Sequence, residues 1–181
     1  MTGPAIKQLA DQAKAAYQGG QYQQAADLYR QAAEASTRAG DALNAAEMNS
    51  NRSVALLQAG DAREALQTVQ GIDRVFAEAG DARRQAMALG NQAAALEGLG
   101  ENKLALEKYE QCAELLKQVG DRESRALVLK NISQLQLRMG SHLQALASMD
   151  AAIDQRARPS LTERVLKKLL KVPFEMLQRG K

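Results

Sequence analysis

The chain has 181 residues, of which 45 % are hydrophobic but only 3 % aromatic, with no Trp and a formal net charge of +3. That length suffices to bury a core, and abundant Ala, Gln, Leu, Glu, Lys and Arg favour helices in close contact through small side chains. A single His and a single Cys exclude a His-based triad, a metal cluster and a redox pair, so no catalytic residue and no cofactor is expected.

Charge is unevenly placed. Residues 1–155 carry 16 basic and 19 acidic side chains, a balance of −3, and residues 156–181 carry eight basic against two acidic, a balance of +6. The basic isoelectric point therefore describes the C-terminal tail, and no nucleic-acid partner is expected from it. No apolar run approaches the roughly 18–20 residues that span a bilayer, and the N-terminus lacks a signal-peptide core. Together with the lone Cys112, these features lead to the expectation of a cytoplasmic protein.

In chain order, glycines set the element boundaries. Gly20, Gly60, Gly100 and Gly140 form one set at a period of forty; Gly40, Gly80 and Gly120 form a second, offset by twenty and always followed by Asp. Gly suits the left-handed position just past a helix end, and Asp caps the helix that follows. Gly60-Asp61, Gly100-Glu101 and Gly140-Ser141 are expected to act similarly. The spacing predicts eight antiparallel helices in four A/B pairs. A-helices fall near 5–19, 42–59, 82–99 and 122–139, and B-helices near 21–39, 61–79, 101–119 and 141–157. Repeats of this length signal a solenoid in which each unit buries its face against its neighbours.

Three further columns recur at forty residues. Ala25, Ala65, Ala105 and Ala145 follow the first glycine set by five, and Ala13, Ser53, Ala93 and Ser133 precede it by seven. Larger residues fill the next layer at Tyr29, Val69, Tyr109 and Met149. The pattern small-x₆-Gly-x₄-Ala-x₃-large resembles the tetratricopeptide repeat (TPR), most closely at Gly20-Gln21-Tyr22-x-x-Ala25-x-x-x-Tyr29. The likeness covers residues 5–157. It departs from the family at the helix A aromatic, replaced by Leu9, Asn49, Leu89 and Leu129, and at the helix B aromatic, kept only as Tyr22 before Ala62, Asn102 and His142. The long period is similar to the variant in kinesin light chains and bacterial peptide receptors. The resemblance implies an all-α, right-handed α-solenoid of four helix-turn-helix units (about 1–40, 41–80, 81–120 and 121–158) with a C-terminal capping helix over 159–181.

It also implies that A-helices line a concave groove that takes an extended peptide or disordered segment. The stripe reads Lys7, Asp11, Lys14, Gln18; Glu47, Asn51, Val54, Gln58; Met87, Asn91, Ala94, Gly98; and Leu127, Asn131, Gln134, Arg138. Asn is a mediocre mid-helix residue, so the column Asn51, Asn91, Asn131 asks for a reason. An amide can pair with a peptide's N–H and C=O; alternatively, these side chains bond a neighbouring helix and hold the repeats together. Candidate peptide-binding residues are Asn51, Asn91, Asn131, Glu47, Gln58, Met87, Lys130, Gln134 and Arg138. Gly90 and Gly98 either leave room for a ligand or mark close packing, and Met87 and Leu127 are groove or core residues. Carried over from chaperone-binding relatives, a carboxylate clamp would fall on Ala10, Lys14, Asn51, Met87 and Asn91; only Asn51 matches, and that reading is set aside. His142 and Cys112 are expected to pack, Cys112 in the small slot of Ala32, Ile72 and Ala152.

Pro159 breaks the pattern, and Ser160-x-x-Glu163 is a capping box for a new helix. Leu161, Val165, Leu166, Leu169, Leu170 and Val172 form its apolar face, opposite Arg164, Lys167, Lys168 and Lys171, until Pro173 ends or kinks it. A solenoid cap is the first reading. The alternatives are a helix that joins copies into a homo-oligomer or lies on an anionic membrane surface. The expected partner is a protein or peptide.

Overall fold

In the computed structural model, the described residues are 3–156, 160–163 and 165–167, and they form nine helices and no strand. These are α1 (Gly3–Gln18), α2 (Tyr22–Arg38), α3 (Ala42–Gln58), α4 (Ala62–Val69), α5 (Ile72–Glu78), α6 (Ala82–Gly98), α7 (Asn102–Gln118), α8 (Arg122–Arg138) and α9 (His142–Gln155). The fold is an all-α helical repeat of the solenoid class. The chain divides into two compact units, Met1–Leu115 and Leu116–Lys181.

Each turn at a period-forty glycine uses the same backbone device. Gly40 takes φ +77°, and its N–H bonds the Thr37 carbonyl at 3.0 Å while the Asp41 N–H returns to the Ser36 carbonyl at 3.0 Å. This paired closure, which satisfies carbonyls that a helix end otherwise leaves open, recurs at every period-forty glycine, with the second bond at 2.8–3.0 Å from Gln21 to Ala16 through Ser141 to Gln136. Side-chain caps are less uniform. Asp41, Asp61, Asp81 and Asp121 each accept the N–H three residues on at 2.9–3.1 Å, whereas Gln21 and Ser141 make no such bond.

In the first unit, α1 packs on α2, α2 on α3, α3 on α4, and α6 on α3, α4 and α5. The small column makes this possible: Ala13, Ser53, Ala93, Ala25, Ala65 and Ala105 are all buried. A core forms around Ile6, Tyr29, Met48 and Leu56, and a second around Val69, Ile72 and Phe76. In the second unit α8 packs on α9, and the buried Ser133 donates its hydroxyl to the Ala145 carbonyl at 2.7 Å. Cys112 is buried, and burial pushes its thiol pKa up to about 12.

Two sequence expectations change. The second B-helix, read as continuous over 61–79, is two helices: Gln70 is extended and Gly71 takes φ +81° before α5 begins. Gln31, Gln111 and Ala151 hold the equivalent positions in the other repeats. Only Gly enters that conformation without a Cβ penalty, so only this helix breaks there. His142 is exposed at the first residue of α9, not packed in the aromatic slot. Residues of the C-terminal helix beyond 167, including Leu169, Leu170, Val172 and Pro173, lie outside the described residues, as do Pro159 and Arg164.

The two glycines of α6 have different roles. A Cβ at Gly98 would stand 2.9 Å from Ala62 Cβ and 3.2 Å from Leu57 Cδ1, whereas one at Gly90 would meet only Cys112 Sγ at 3.5 Å, an ordinary contact. Gly98 therefore marks a close approach of α6 to the α3–α4 turn. Gly98→Ala should destabilise by about 1–2 kcal/mol, overpacking outweighing the gain in helix propensity. Gly90→Ala should stabilise by about 0.5–1 kcal/mol. Urea unfolding of both variants checks the pair; equal shifts would remove the distinction.

Candidate functional site

The A-helix stripe of the first unit lies on α1, α3 and α6, of which the last two pack together. Their register is held by two ties. Asn91 Nδ2 donates to Ser50 Oγ at 2.9 Å and to the Ser50 carbonyl at 3.3 Å, and Arg84 Nη1 meets Glu47 Oε2 at 3.1 Å. Both span about one repeat in sequence, so they fasten A-helix α6 to A-helix α3.

The predicted residues thus divide by what they already hold. Asn91 has committed its amide protons to Ser50, which keeps its register at about 0.5–1.5 kcal/mol per neutral bond. Its Oδ1 accepts from no described residue. Asn51 is half-buried, and its side chain has no hydrogen-bond partner among the described residues. Met87 is 56 % exposed, a large apolar side chain left in solvent; Gln58 is exposed. Glu47 is engaged by Arg84, which also reaches Asp81 Oδ2 at 2.6 Å and lies with Cζ 5.0 Å from the Phe76 ring centroid. The Arg84 backbone N–H and guanidinium hold the Asp81 carboxyl below its usual range, and Asp81 in turn raises the guanidinium's pKa. On α1, Lys7 and Asp11 pair at 2.9 Å in full solvent.

In the second unit, α8 carries the remaining predicted residues. Asn131 is half-buried without a described side-chain partner, and Lys130, Gln134 and Arg138 are exposed. Leu127 is exposed as well. Lys130 lies in a cleft of about 210 Å³ with Ala126, Ile153, Arg156, Glu163 and Leu166.

Ser50 and Arg84 were absent from the sequence reading. Their signal was present but faint: Ser50 and Asn91 stand one repeat plus one residue apart, the offset that two neighbouring A-helices bring together. Among the described residues no group of three or more His, Cys, Asp or Glu is arranged to hold a metal ion. No described helix is long and apolar enough to cross a membrane.

The start of the C-terminal helix is built as its capping box requires. The Ser160 N–H donates to Glu163 Oε2 at 2.7 Å, and the Glu163 N–H donates to Ser160 Oγ at 3.2 Å. Arg156 meets Glu163 at 3.3 Å, and Lys167 pairs with Asp154. The turn thereby sits against α9, with Leu166 half-buried, while Leu161 and Val165 are 75 % and 53 % exposed.

A family model described as soluble NSF attachment protein, SNAP, matches residues 6–172. A crystal structure of Podosopora anserina putative kinesin light chain nearly identical TPR-like repeats is similar over 99 % of this chain and 100 % of its own, with a TM-score of 0.69 at 15 % identity. A second structure of the same repeats, a single-residue variant, gives a TM-score of 0.69 at 15 % identity over 99 % of both chains. At that identity the likeness speaks for the fold alone. No curated protein sequence matches the chain.

The Ser160 N–H bond to the Glu163 carboxylate, with Arg156 and Lys130 nearby, depresses the Glu163 pKa. A carboxyl depressed on folding lends stability above its unfolded pKa and loses it as pH falls through the folded one. The Ser160 amide signal should therefore stay in its bonded position through the ordinary carboxylate range and move only at lower pH, and Arg156→Ala should bring that midpoint up. An NMR pH titration reads both; a midpoint at the ordinary Glu value would contradict the assignment.

Proposed function

This chain belongs to the soluble NSF attachment protein family, and from that premise we propose that it binds an extended peptide or disordered protein segment along its A-helix stripe without chemistry of its own. Proteins of TPR-like repeats are in general protein-interaction scaffolds, and the family's name describes an attachment protein. The observation that carries the finer reading is the pairing of Asn51, half-buried with its amide unspent, and Met87, 56 % exposed, on packed neighbouring helices. An amide offers a donor and an acceptor to a backbone, and an adjacent thioether adapts to varied apolar side chains. Asn91 contributes its remaining Oδ1 as an acceptor, and Gln58 extends the polar stripe. Glu47 serves through Arg84 as a register tie. On α8, Asn131, Lys130, Gln134 and Arg138 form a second polar segment.

The test is capture from a cell lysate with wild type, Asn51→Ala/Met87→Ala and Asn131→Ala, read by mass spectrometry. The first variant should lose at least tenfold of a captured partner, equivalent to about 1.4 kcal/mol, and keep its unfolding midpoint. Undiminished capture would move the partner off the α3–α6 surface.

A second reading has its own observation: Leu161 and Val165 present apolar side chains away from α9. An exposed apolar stripe on an amphipathic helix can pair with another copy. Light scattering on full chain and on a chain lacking 159–181 should then show a dimer reduced to a monomer. A monomer in both would rule out assembly through this helix.

A further inference from the structure

The break in the second B-helix opens a cleft that the repeat pattern does not require. In a continuous helix the Val69 carbonyl would be taken by the N–H of residue 73. Here Gln92 reaches across from α6 and takes it instead: Nε2 donates to Val69 O at 3.2 Å and to Asp73 Oδ1 at 2.6 Å. Gln92 is only 5 % exposed. Both its amide protons are spent, yet its carbonyl Oε1 accepts from no described residue. One repeat earlier and later the same position holds Arg52 and Ile132, so nothing in the repeat itself demands a buried amide.

Gln92 lines a cleft of about 340 Å³, a size suited to a small ligand. Leu66 and Leu96 supply its apolar wall, and Gly71 lines it without a side chain; a Cβ there would meet nothing within 4 Å. Arg74 from α5 and Lys108 from α7 also line it, and neither forms an ion pair with a described residue. The only lining acid is Asp73, whose Oδ1 is already engaged by Gln92. The cleft therefore combines two unspent cations, an unspent carbonyl of the largely buried Gln92 beside a carboxylate, and an apolar wall.

We propose that this cleft binds an N-acylated α-amino acid with an apolar side chain. The ligand's carboxylate meets Lys108 and Arg74, where charge-assisted bonds are strongest. Its amide N–H donates to Gln92 Oε1, and its side chain lies against Leu66 and Leu96. The same chemistry comes from a free N-acyl amino acid or from the last residue of a polypeptide. This site is separate from the α3–α6 stripe and stands without it.

The experiment is NMR titration of the full chain with N-acetyl-L-leucine, N-acetyl-L-leucinamide and a heptapeptide ending in leucine. N-acetyl-L-leucine should give saturable shifts at the Gly71 amide and the Gln92 side-chain amide, and the leucinamide should bind at least fivefold more weakly. Lys108→Ala should weaken binding by a similar factor, with Arg74→Ala as the second variant if the first unfolds. Asn51→Ala should leave it unchanged, so failure here and failure of the stripe reading are distinguishable. Tighter binding of the heptapeptide assigns the site to a chain end, and equal binding assigns it to the free molecule. Absence of saturable shifts for both acids, equal binding of the leucinamide, or undiminished binding by both cation variants would overturn the proposal.

Discussion

Among the described residues, seven helices end on a backbone bond that runs backwards: the N–H of the residue after the period-forty glycine returns to the carbonyl five residues earlier, from Gln21 to Ala16 through Ser141 to Gln136. That bond stops one helix and aims the next antiparallel to it, so every later contact inherits its direction. Because all of these turns close alike, the small residues fall opposite one another without further adjustment. Ala25 and Ala65 are buried in the first unit for the same reason that Ala145 is buried in the second. The side-chain caps are secondary, since Gln21 and Ser141 open helices without one.

Function in such an array arises where the repeat is not obeyed. A repeat that merely buried its own faces would expose helix formers and water-loving side chains. Here Met87 on α6 stands in solvent, Asn51 on the neighbouring α3 keeps an unspent amide, and Gly71 interrupts a helix whose counterparts do not break there. Each departure leaves polar groups that the repeat does not satisfy, and a buried polar group without a partner is unfavourable. At the break, Gln92 answers part of that demand from a neighbouring helix. On the stripe, Ser50 answers it for Asn91, while Asn51 is left open.

That division bears on the asparagine column. Its two readings, grip on a ligand and glue between repeats, are not exclusive along the column. Asn91 acts as glue through its amide protons, and its carbonyl is still available to a partner. Glu47, read from sequence as a candidate peptide-binding residue, is instead shared with Arg84 in a half-buried pair. Arg84 does more by stacking over Phe76, since it links α3, α5 and α6 at one point.

The sequence by itself determined the helical class, the A/B alternation, the turns at the period-forty glycines and the buried small columns. All of these follow from short-range rules: which residue tolerates a left-handed turn, which caps a helix, and which side chains recur on one face. The capping box at Ser160 and Glu163 was legible for the same reason, being closed within four residues. Only the tertiary structure decided that Asn91 is bonded and Asn51 is not, that Gly98 is a packing contact while Gly90 is ordinary, and that Gln92 spans the broken helix. Those outcomes depend on distances between helices about twenty to forty residues apart. Such distances depend on how side chains fit together, which a recurring letter in a column does not encode.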